Sequence, residues 1–360
     1  MITPDAPAPQ ARYDIDRDAL SQLLDDQPRY RVDQVWSALY DNLADPTDMT
    51  NLPKALRTRL DRQLPAALHV ATMRTSVDNE TVKWLWRLHD DARIETVLMH
   101  YRDRSTVCIS TQAGCAMACG FCATGQGGFE RQLSVGEMVE QVVRAQREAR
   151  RVDRRVSNVV FMGMGEPFAN YDRTIASLER IHDHLGISAR QLTVSTVGIV
   201  PGIRSFGLER LPANLAVSLH AANDTLRDEL VPINRRYPLA QLAEACHEYL
   251  GHRNRRLSFE WAMIDGINDR PSDAFELATF ARDLRAHVNL IPLNPTGGFA
   301  TVGSPLAHVH AFRDELVRLG INATVRRNRG TDIDAACGQL RAREVAISPR
   351  RAPRARGTAD

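Results

Sequence analysis

Three cysteines in Cys115-Ala-Met-Ala-Cys119-Gly-Phe-Cys122 carry the chain's clearest chemical signal. Three thiolates on one short loop can hold three irons of a 4Fe-4S cluster and leave the fourth iron open to a small ligand. A zinc site would need a fourth protein ligand, for which His100 and Cys108 are candidates. A Cys-x-x-Cys pair alone can also do redox chemistry. Gly163-Met-Gly165-Glu166 is a second candidate, since a glycine turn lets backbone approach a ligand closely and Glu166 can accept from an ammonium group. Read alone, it is equally a plain strand-to-helix turn. Cys108, Cys246 and Cys337 complete the six cysteines. Taken singly, each reads as a small buried residue.

These residues need elements to position them. Residues 13–64 read as short helices, with Leu20, Leu23 and Leu24, then Val32, Val35, Trp36 and Leu39, then Leu52, Leu56 and Leu60 at helical spacing. Thr81-Val-Lys-Trp-Leu-Trp-Arg-Leu and Arg93-Ile-Glu-Thr-Val-Leu-Met alternate about an Asp90-Asp91 turn, a hairpin pattern in which Trp84 and Trp86 share a face and read as core. From residue 105 onward, expected strands at 106–109, 158–162, 192–195, 215–219, 257–263 and 288–292 alternate with amphipathic helices near 135–150, 171–185, 238–250, 272–286 and 304–319. Ser134 and Glu137 form a capping box at the first of these helices. The alternation predicts an α/β fold with a parallel sheet, open or curled into a partial barrel, and chemistry at the C-terminal strand ends. The cysteine triplet follows the first of these strands, and Glu166 the second. The organisation expected is a disordered stretch at 1–12, a helical domain at 13–75, a hairpin linker at 76–100, a core at 101–340 and a basic tail at 341–360.

The chain has 360 residues, 43% hydrophobic and 25% charged, which excludes a mostly disordered, collagen-like or disulfide-stapled protein. No apolar run is long enough to span a membrane, and the N-terminus lacks the apolar stretch of a signal peptide, so a cytoplasmic chain with reduced thiols is expected. Net charge is only +2, but its distribution is uneven. Residues 1–50 hold ten Asp against four Arg, whereas 144–155 and 341–360 hold six Arg each. Clustered Arg suits a phosphate backbone; the alternative is solvated helix faces.

The cysteine triplet resembles that of the radical S-adenosylmethionine (SAM) superfamily. The flanking text, Cys108-Ile-Ser-Thr-Gln-Ala-Gly-Cys115 and Cys122-Ala-Thr-Gly-Gln-Gly-Gly-Phe129, resembles one family within it, the dual-specificity adenine carbon-2 RNA methylases (the RlmN family). The resemblance runs from about residue 14 to 345. It extends through Phe161-Met-Gly-Met-Gly-Glu-Pro167, Ser218-Leu-His-Ala, Val231-Pro-Ile-Asn234, Asn289-Leu-Ile-Pro-Leu-Asn294-Pro and Arg329-Gly-Thr-Asp-Ile-Asp-Ala-Ala-Cys337-Gly-Gln-Leu340. A sister family that methylates carbon 8 of the same adenine shares these motifs, and the complete N-terminal region favours carbon 2.

The resemblance implies a partial (βα)6 barrel with one 4Fe-4S cluster on Cys115, Cys119 and Cys122. It implies SAM held by Gly165, Glu166, Ser195, Ser218, Leu219, His220 and Asn294. It further implies two SAM per turnover, Cys337 as the methyl carrier, Cys108 as the resolving thiol and Glu95 as a general base. The implied substrates are adenosine 2503 of 23S ribosomal RNA and adenosine 37 of transfer RNA. The implied partners are an external flavodoxin- or ferredoxin-like electron donor and no membrane, with the chain a monomer. A non-catalytic cluster-containing RNA-binding protein is the rival of another class; it would have no use for Cys337. Cys246 has no counterpart in the family text and reads as core.

Overall fold

A computed structural model describes residues 11–252, 255–294, 302–336 and 338–340. Strands β1 (His69–Thr75), β2 (Thr81–Arg87) and β3 (Arg93–His100) form an antiparallel meander that leads into β4 (Ser105–Cys108). A small antiparallel ribbon, β5 (Gln112–Gly114) and β6 (Phe129–Gln132), brackets the cysteine loop. The parallel strands continue as β7 (Val156–Phe161), β8 (Leu192–Thr196), β9 (Asn214–Ser218), β10 (Leu257–Met263), β11 (His287–Pro292) and β12 (Ala323–Val325). Ten strands make one sheet in the order β1-β2-β3-β4-β7-β8-β9-β10-β11-β12, parallel from β4 onward. The six expected parallel strands are present, and short β12 adds a seventh.

The helices are α1 (Arg17–Leu23), α2 (Tyr30–Tyr40), α3 (Lys54–Gln63), α4 (Ala123–Gln126), α5 (Val135–Arg151), α6 (Tyr171–Leu185), α7 (Val200–Leu208), α8 (Asp224–Leu230), α9 (Leu239–Gly251), α10 (Pro271–Asp283) and α11 (Leu306–Arg318). Strands covered on both faces read as continuous apolar runs, as in Leu215-Ala-Val217, which is wholly buried.

Two differences from the sequence reading have physical causes. Strand β1 lies in a stretch expected to be helical domain; it is an exposed edge strand, so no alternating apolar pattern marks it. The meander it starts continues the barrel sheet rather than bridging separate bodies. Helix α7 carries Pro201, Gly202 and Gly207 and reads locally as loop. Packing overrides propensity there, because a Cβ on Gly202 would come within 2.7 Å of Phe168.

The N-terminal helices share one apolar cluster with the barrel, from Tyr13 and Leu20 through Val139 to Leu290. Ser134 and Glu137 form the expected capping box on α5, and Asp14 adds to it, accepting from the Gly136 backbone N–H at 2.6 Å and from Ser134 Oγ at 3.0 Å. Two arginines of α5 face this same junction. Arg147 pairs with Asp45 at 2.9 Å and donates to the Leu43 carbonyl, and Arg150 donates to the carbonyls of Asp41 and Asn42. Arg144 pairs with Glu140 and Arg151 with Glu148. Two of the six arginines at 144–155, Arg147 and Arg150, thus dock the acidic N-terminal segment.

Trp84 and Trp86 are buried and stacked, centroids 5.7 Å apart. Trp86 Nε1 donates to Thr96 Oγ1, which donates to Gln141 Oε1; Gln141 also accepts from the Ser110 N–H and donates to its carbonyl. This buried chain fixes the path from β4 into the cysteine loop.

Candidate active site

The C-terminal ends of the parallel strands converge on one cavity. Its lining includes Cys115, Cys119 and Cys122 from the loop after β5, Gly163, Gly165 and Glu166 after β7, Ser195 and Thr196 on β8, and Ser218 and His220 at the end of β9. The sequence-derived candidates for cluster and SAM are therefore brought together, with two exceptions. Leu219 is buried behind the lining, where its N–H bonds the Glu260 carbonyl and its own carbonyl accepts from Arg227. Asn294 is buried beside Leu293, a lining residue, and its Oδ1 accepts from Asn328 at 2.8 Å.

Close backbone approach explains the glycines. A Cβ on Gly163 would come within 2.7 Å of the Ile109 carbonyl group, and Gly165 takes a φ of 102° against Gln112. Glu166 is buried behind this turn. Its carboxylate accepts from the backbone N–H groups of Phe168 at 3.0 Å and Val197 at 2.9 Å, joining the ends of β7 and β8. Burial pushes its carboxyl up to about 7 despite those donors. Two carboxylate oxygens offer about four acceptor directions, so capacity remains for a ligand ammonium.

His220 is buried with φ 59°. Its Nδ1 accepts from the Ala262 N–H at 2.9 Å, and burial, assisted by Arg227, pulls its imidazole down to about 3. The ring is therefore neutral, with its proton on Nε2 as a donor. Arg227 was not singled out by the sequence. Fully buried, it donates to the carbonyls of Val197, Ser218 and Leu219 and to Asn234 Oδ1. One guanidinium thus ties together the ends of β8 and β9, which is what the Val231-Pro-Ile-Asn234 text provides for. An Arg inside a charged helix gave no signal of this.

The thiol set suits a metal cluster. Burial pushes the Cys115 thiol up to about 12 and that of Cys119 further, and their neighbouring thiols and Glu166 add to the rise. Thiolates at Cys115 and Cys119 would need the charge of a bound metal to ionise them. His100, the zinc alternative, bonds Ser105 through Nδ1 and lines neither this cavity nor its neighbour. Among the described residues, the only group close enough for a single ion is Asp265, Asp269 and His308. A multi-iron cluster, whose ligands stand farther apart, is the better fit.

A second cavity adjoins the first and shares Cys122, Thr124, Met162, Gly163, Arg326 and Gly338 with it. Cys108, Val97 and Met99 line it on one side and Ala335, Ala336 and Gly338 on the other. Cys337 lies outside the described residues. Glu95 is two residues from Val97 on β3, hence on the same face, with its Oε2 3.4 Å from Lys83 Nζ. Cys246 is buried core on α9.

Residues 109–278 match the model of the radical SAM superfamily. A relative from Chloroflexus aurantiacus, named a probable dual-specificity RNA methyltransferase RlmN, is 49% identical over 347 residues, covering 92% of each chain. One of the same name from Staphylococcus saprophyticus is 44% identical, covering 94% of this chain and 93% of its own. The crystal structure of a radical SAM methyltransferase from Sphaerobacter thermophilus superposes with a TM-score of 0.91 at 48% identity, covering 93% of this chain and all of that one. Membership of the radical SAM superfamily implies a 4Fe-4S cluster and SAM. Identity of this order along nearly the whole length, on the same fold, means that the chain belongs to the RlmN family of radical SAM RNA methyltransferases.

Proposed function

We propose that this enzyme methylates carbon 2 of adenine in RNA, at adenosine 2503 of 23S ribosomal RNA and adenosine 37 of transfer RNA, through a cysteine that carries the methyl group. The observation that supports it most is the continuity of the two cavities. It sets the cysteine loop on one side of Met162 and Gly163, and Cys108 with the residues flanking Cys337 on the other.

Cys115, Cys119 and Cys122 hold the cluster. Glu166 accepts from the SAM ammonium group, while Ser195, Ser218 and the Nε2–H of His220 face the rest of the molecule, with Leu219 and Asn294 supporting them from behind. When bound, the cluster and SAM supply a carbon-centred radical that abstracts hydrogen. That is the chemistry carbon 2 requires, since it offers no lone pair to a sulfonium methyl. Two SAM are used per turnover, the first as methyl donor.

The chain's own part follows from its thiols. The Cys337 thiolate takes the methyl group from the first SAM, displacing its thioether. The radical would then take one hydrogen from that S-methyl group, and the resulting S-methylene carbon would bond carbon 2, the adduct's odd electron passing back to the cluster, so that protein and RNA become joined. Glu95 removes the proton from the substrate carbon. The Cys108 thiolate then attacks the Cys337 sulfur, forming a disulfide as the carbon–sulfur bond breaks. The bond's electron pair stays with the carbon, which takes a proton to become the methyl group, and an external thiol reduces the disulfide before the next turnover. The reductant is of the flavodoxin or ferredoxin class, and the enzyme acts as a cytoplasmic monomer. No helix among the described residues is long and apolar enough to cross a membrane.

The test is transfer of label from methyl-labelled SAM to RNA by wild type and by Cys337→Ala, with the cluster assembled in both. Label in RNA from wild type alone supports the reading. Label from Cys337→Ala would refute it.

A further inference from the structure

Met162, Glu260 and Arg326 line two cavities at once, that of the cysteine loop and a polar one lower in the barrel. The polar cavity is faced by Thr106, Asn158 and Thr193 from three neighbouring strands, and by Arg104, Arg256 and Arg327. A polar lumen with guanidinium groups suits a nucleotide and its phosphates. Glu260 stands at the junction. It is the fourth residue of β10, in register with Ser218 and Asn289, one same-face step deeper than Ala262, which lines the cofactor cavity.

Glu260 is 4% exposed. Its Oε1 accepts from Asn289 Nδ2 at 2.9 Å and from Ser258 Oγ at 3.2 Å. Asn289 is in turn fixed, its Oδ1 accepting from Thr324 Oγ1 at 2.9 Å. The carboxylate is thus held in one orientation by three strands. Its Oε2 is buried and has no hydrogen-bond partner among the described residues. A buried acceptor left unpaired is costly, and one held rigidly at a cavity wall is placed for a ligand donor.

We propose that Glu260 selects the target base, its Oε2 accepting a hydrogen bond from the exocyclic amine of the adenine. This rests on the reading of the chain as an adenine-RNA methylase. The other ligand donors within the cavities would be those of SAM, its ribose diol, adenine amine and ammonium group, and Glu260's place at the junction with the polar cavity favours the target base. A single acceptor at this point distinguishes an amine from a carbonyl without any contact to the reacting carbon.

The test compares short RNA hairpins carrying adenosine, inosine or purine riboside at the target position, using wild-type holoenzyme, Glu260→Gln and Glu260→Ala. Glutamine keeps the shape, with its carbonyl on Asn289 and its amide turned to the base. The adenosine-over-inosine ratio of kcat/KM should then fall about 10- to 100-fold, one charge-assisted hydrogen bond exchanged for a mismatch. In Glu260→Ala the adenosine-over-purine ratio should collapse toward the intrinsic reactivity ratio of the two bases. SAM affinity, measured by equilibrium dialysis, should stay within about twofold in both variants. Unchanged base ratios, or weakened SAM binding with unchanged ratios, would overturn the proposal while leaving the methylase reading intact. Failure of wild type to methylate any hairpin or full-length RNA would instead undo the reading on which it rests.

Discussion

Cys108 lies directly opposite Val97 in the β3–β4 pairing, which leaves Glu95 one same-face step away although it precedes Cys108 by thirteen residues in the chain. The hairpin turn between β3 and β4 thus delivers a carboxylate and a thiol to one wall near the second cavity. The proposed division of labour makes these two residues separable by experiment. Cys108→Ala should form the joined protein–RNA species and fail to release it, so a slow-migrating RNA-containing band should accumulate on a denaturing gel. Turnover at the wild-type rate without such a band would remove Cys108 from the mechanism.

The cysteine loop makes a simpler prediction. Replacing any one of Cys115, Cys119 or Cys122 by Ala leaves two thiol ligands, too few to retain the cluster. The brown absorbance and bound iron of anaerobically reconstituted protein should be lost in each variant. Wild-type iron content in any of them would contradict the assignment.

The proposed contact of Glu166 with the SAM ammonium group predicts a pH dependence of SAM binding. Burial raises its carboxyl from 4.5 to about 7, so the folded chain favours the protonated form. That contribution to stability is fully present below 4.5 and is lost as pH rises through about 7. An ammonium ligand prefers the opposite, ionised form. SAM binding to the cluster-loaded enzyme should therefore weaken about tenfold between pH 8 and pH 6, and Glu166→Gln should flatten the profile. Equal affinity at the two pH values in wild type would show that Glu166 does not meet the ammonium group.

Arg227 carries a structural prediction. Burial pulls its guanidinium down to about 10, so it remains charged at neutral pH and serves three carbonyls and one amide. Arg227→Met leaves those carbonyls unpaired and should cost about 3 kcal/mol or more in denaturant unfolding. Arg227→Lys should rescue little, because a point charge cannot span acceptors on two strand ends. A loss below about 1 kcal/mol would contradict this role.

Gly165→Ala tests the turn before Glu166. Its φ of 102° disfavours any side chain, and the new Cβ would lie 2.5 Å from the Gln112 Cβ. A loss of about 1–3 kcal/mol in stability is expected, together with weakened SAM binding. Unaltered SAM affinity would show that the turn does not position the ligand.

Much of this was legible in the chain itself. The parallel strands and main helices announced themselves through β-branched runs and 3.6-residue periodicity, and the triplet of cysteines through its spacing. What stayed hidden depended on contacts distant in sequence. Glu260 looked like one acidic residue in an apolar strand until Asn289 and Ser258 were seen to hold only one of its oxygens. Arg227 gave no sign, because its acceptors are the carbonyls of Val197 just past β8 and of Ser218 and Leu219 at the end of β9. The Arg run at 144–155 suggested a phosphate-binding face, yet Arg147 and Arg150 turn to Asp45 and to backbone carbonyls of the loop after α2. Charge pattern does not reveal which partner a guanidinium will find. Strand β1 was missed because an exposed edge has no apolar alternation to read.

The most direct test of the central claim is nucleoside mass spectrometry. The cluster is assembled without oxygen, unmethylated 23S ribosomal RNA and methyl-labelled SAM are supplied with a reductant, and the digested RNA is compared with authentic 2-methyladenosine and 8-methyladenosine. Label in 2-methyladenosine is the predicted result. Label in 8-methyladenosine, or none while SAM is being cleaved, would contradict it.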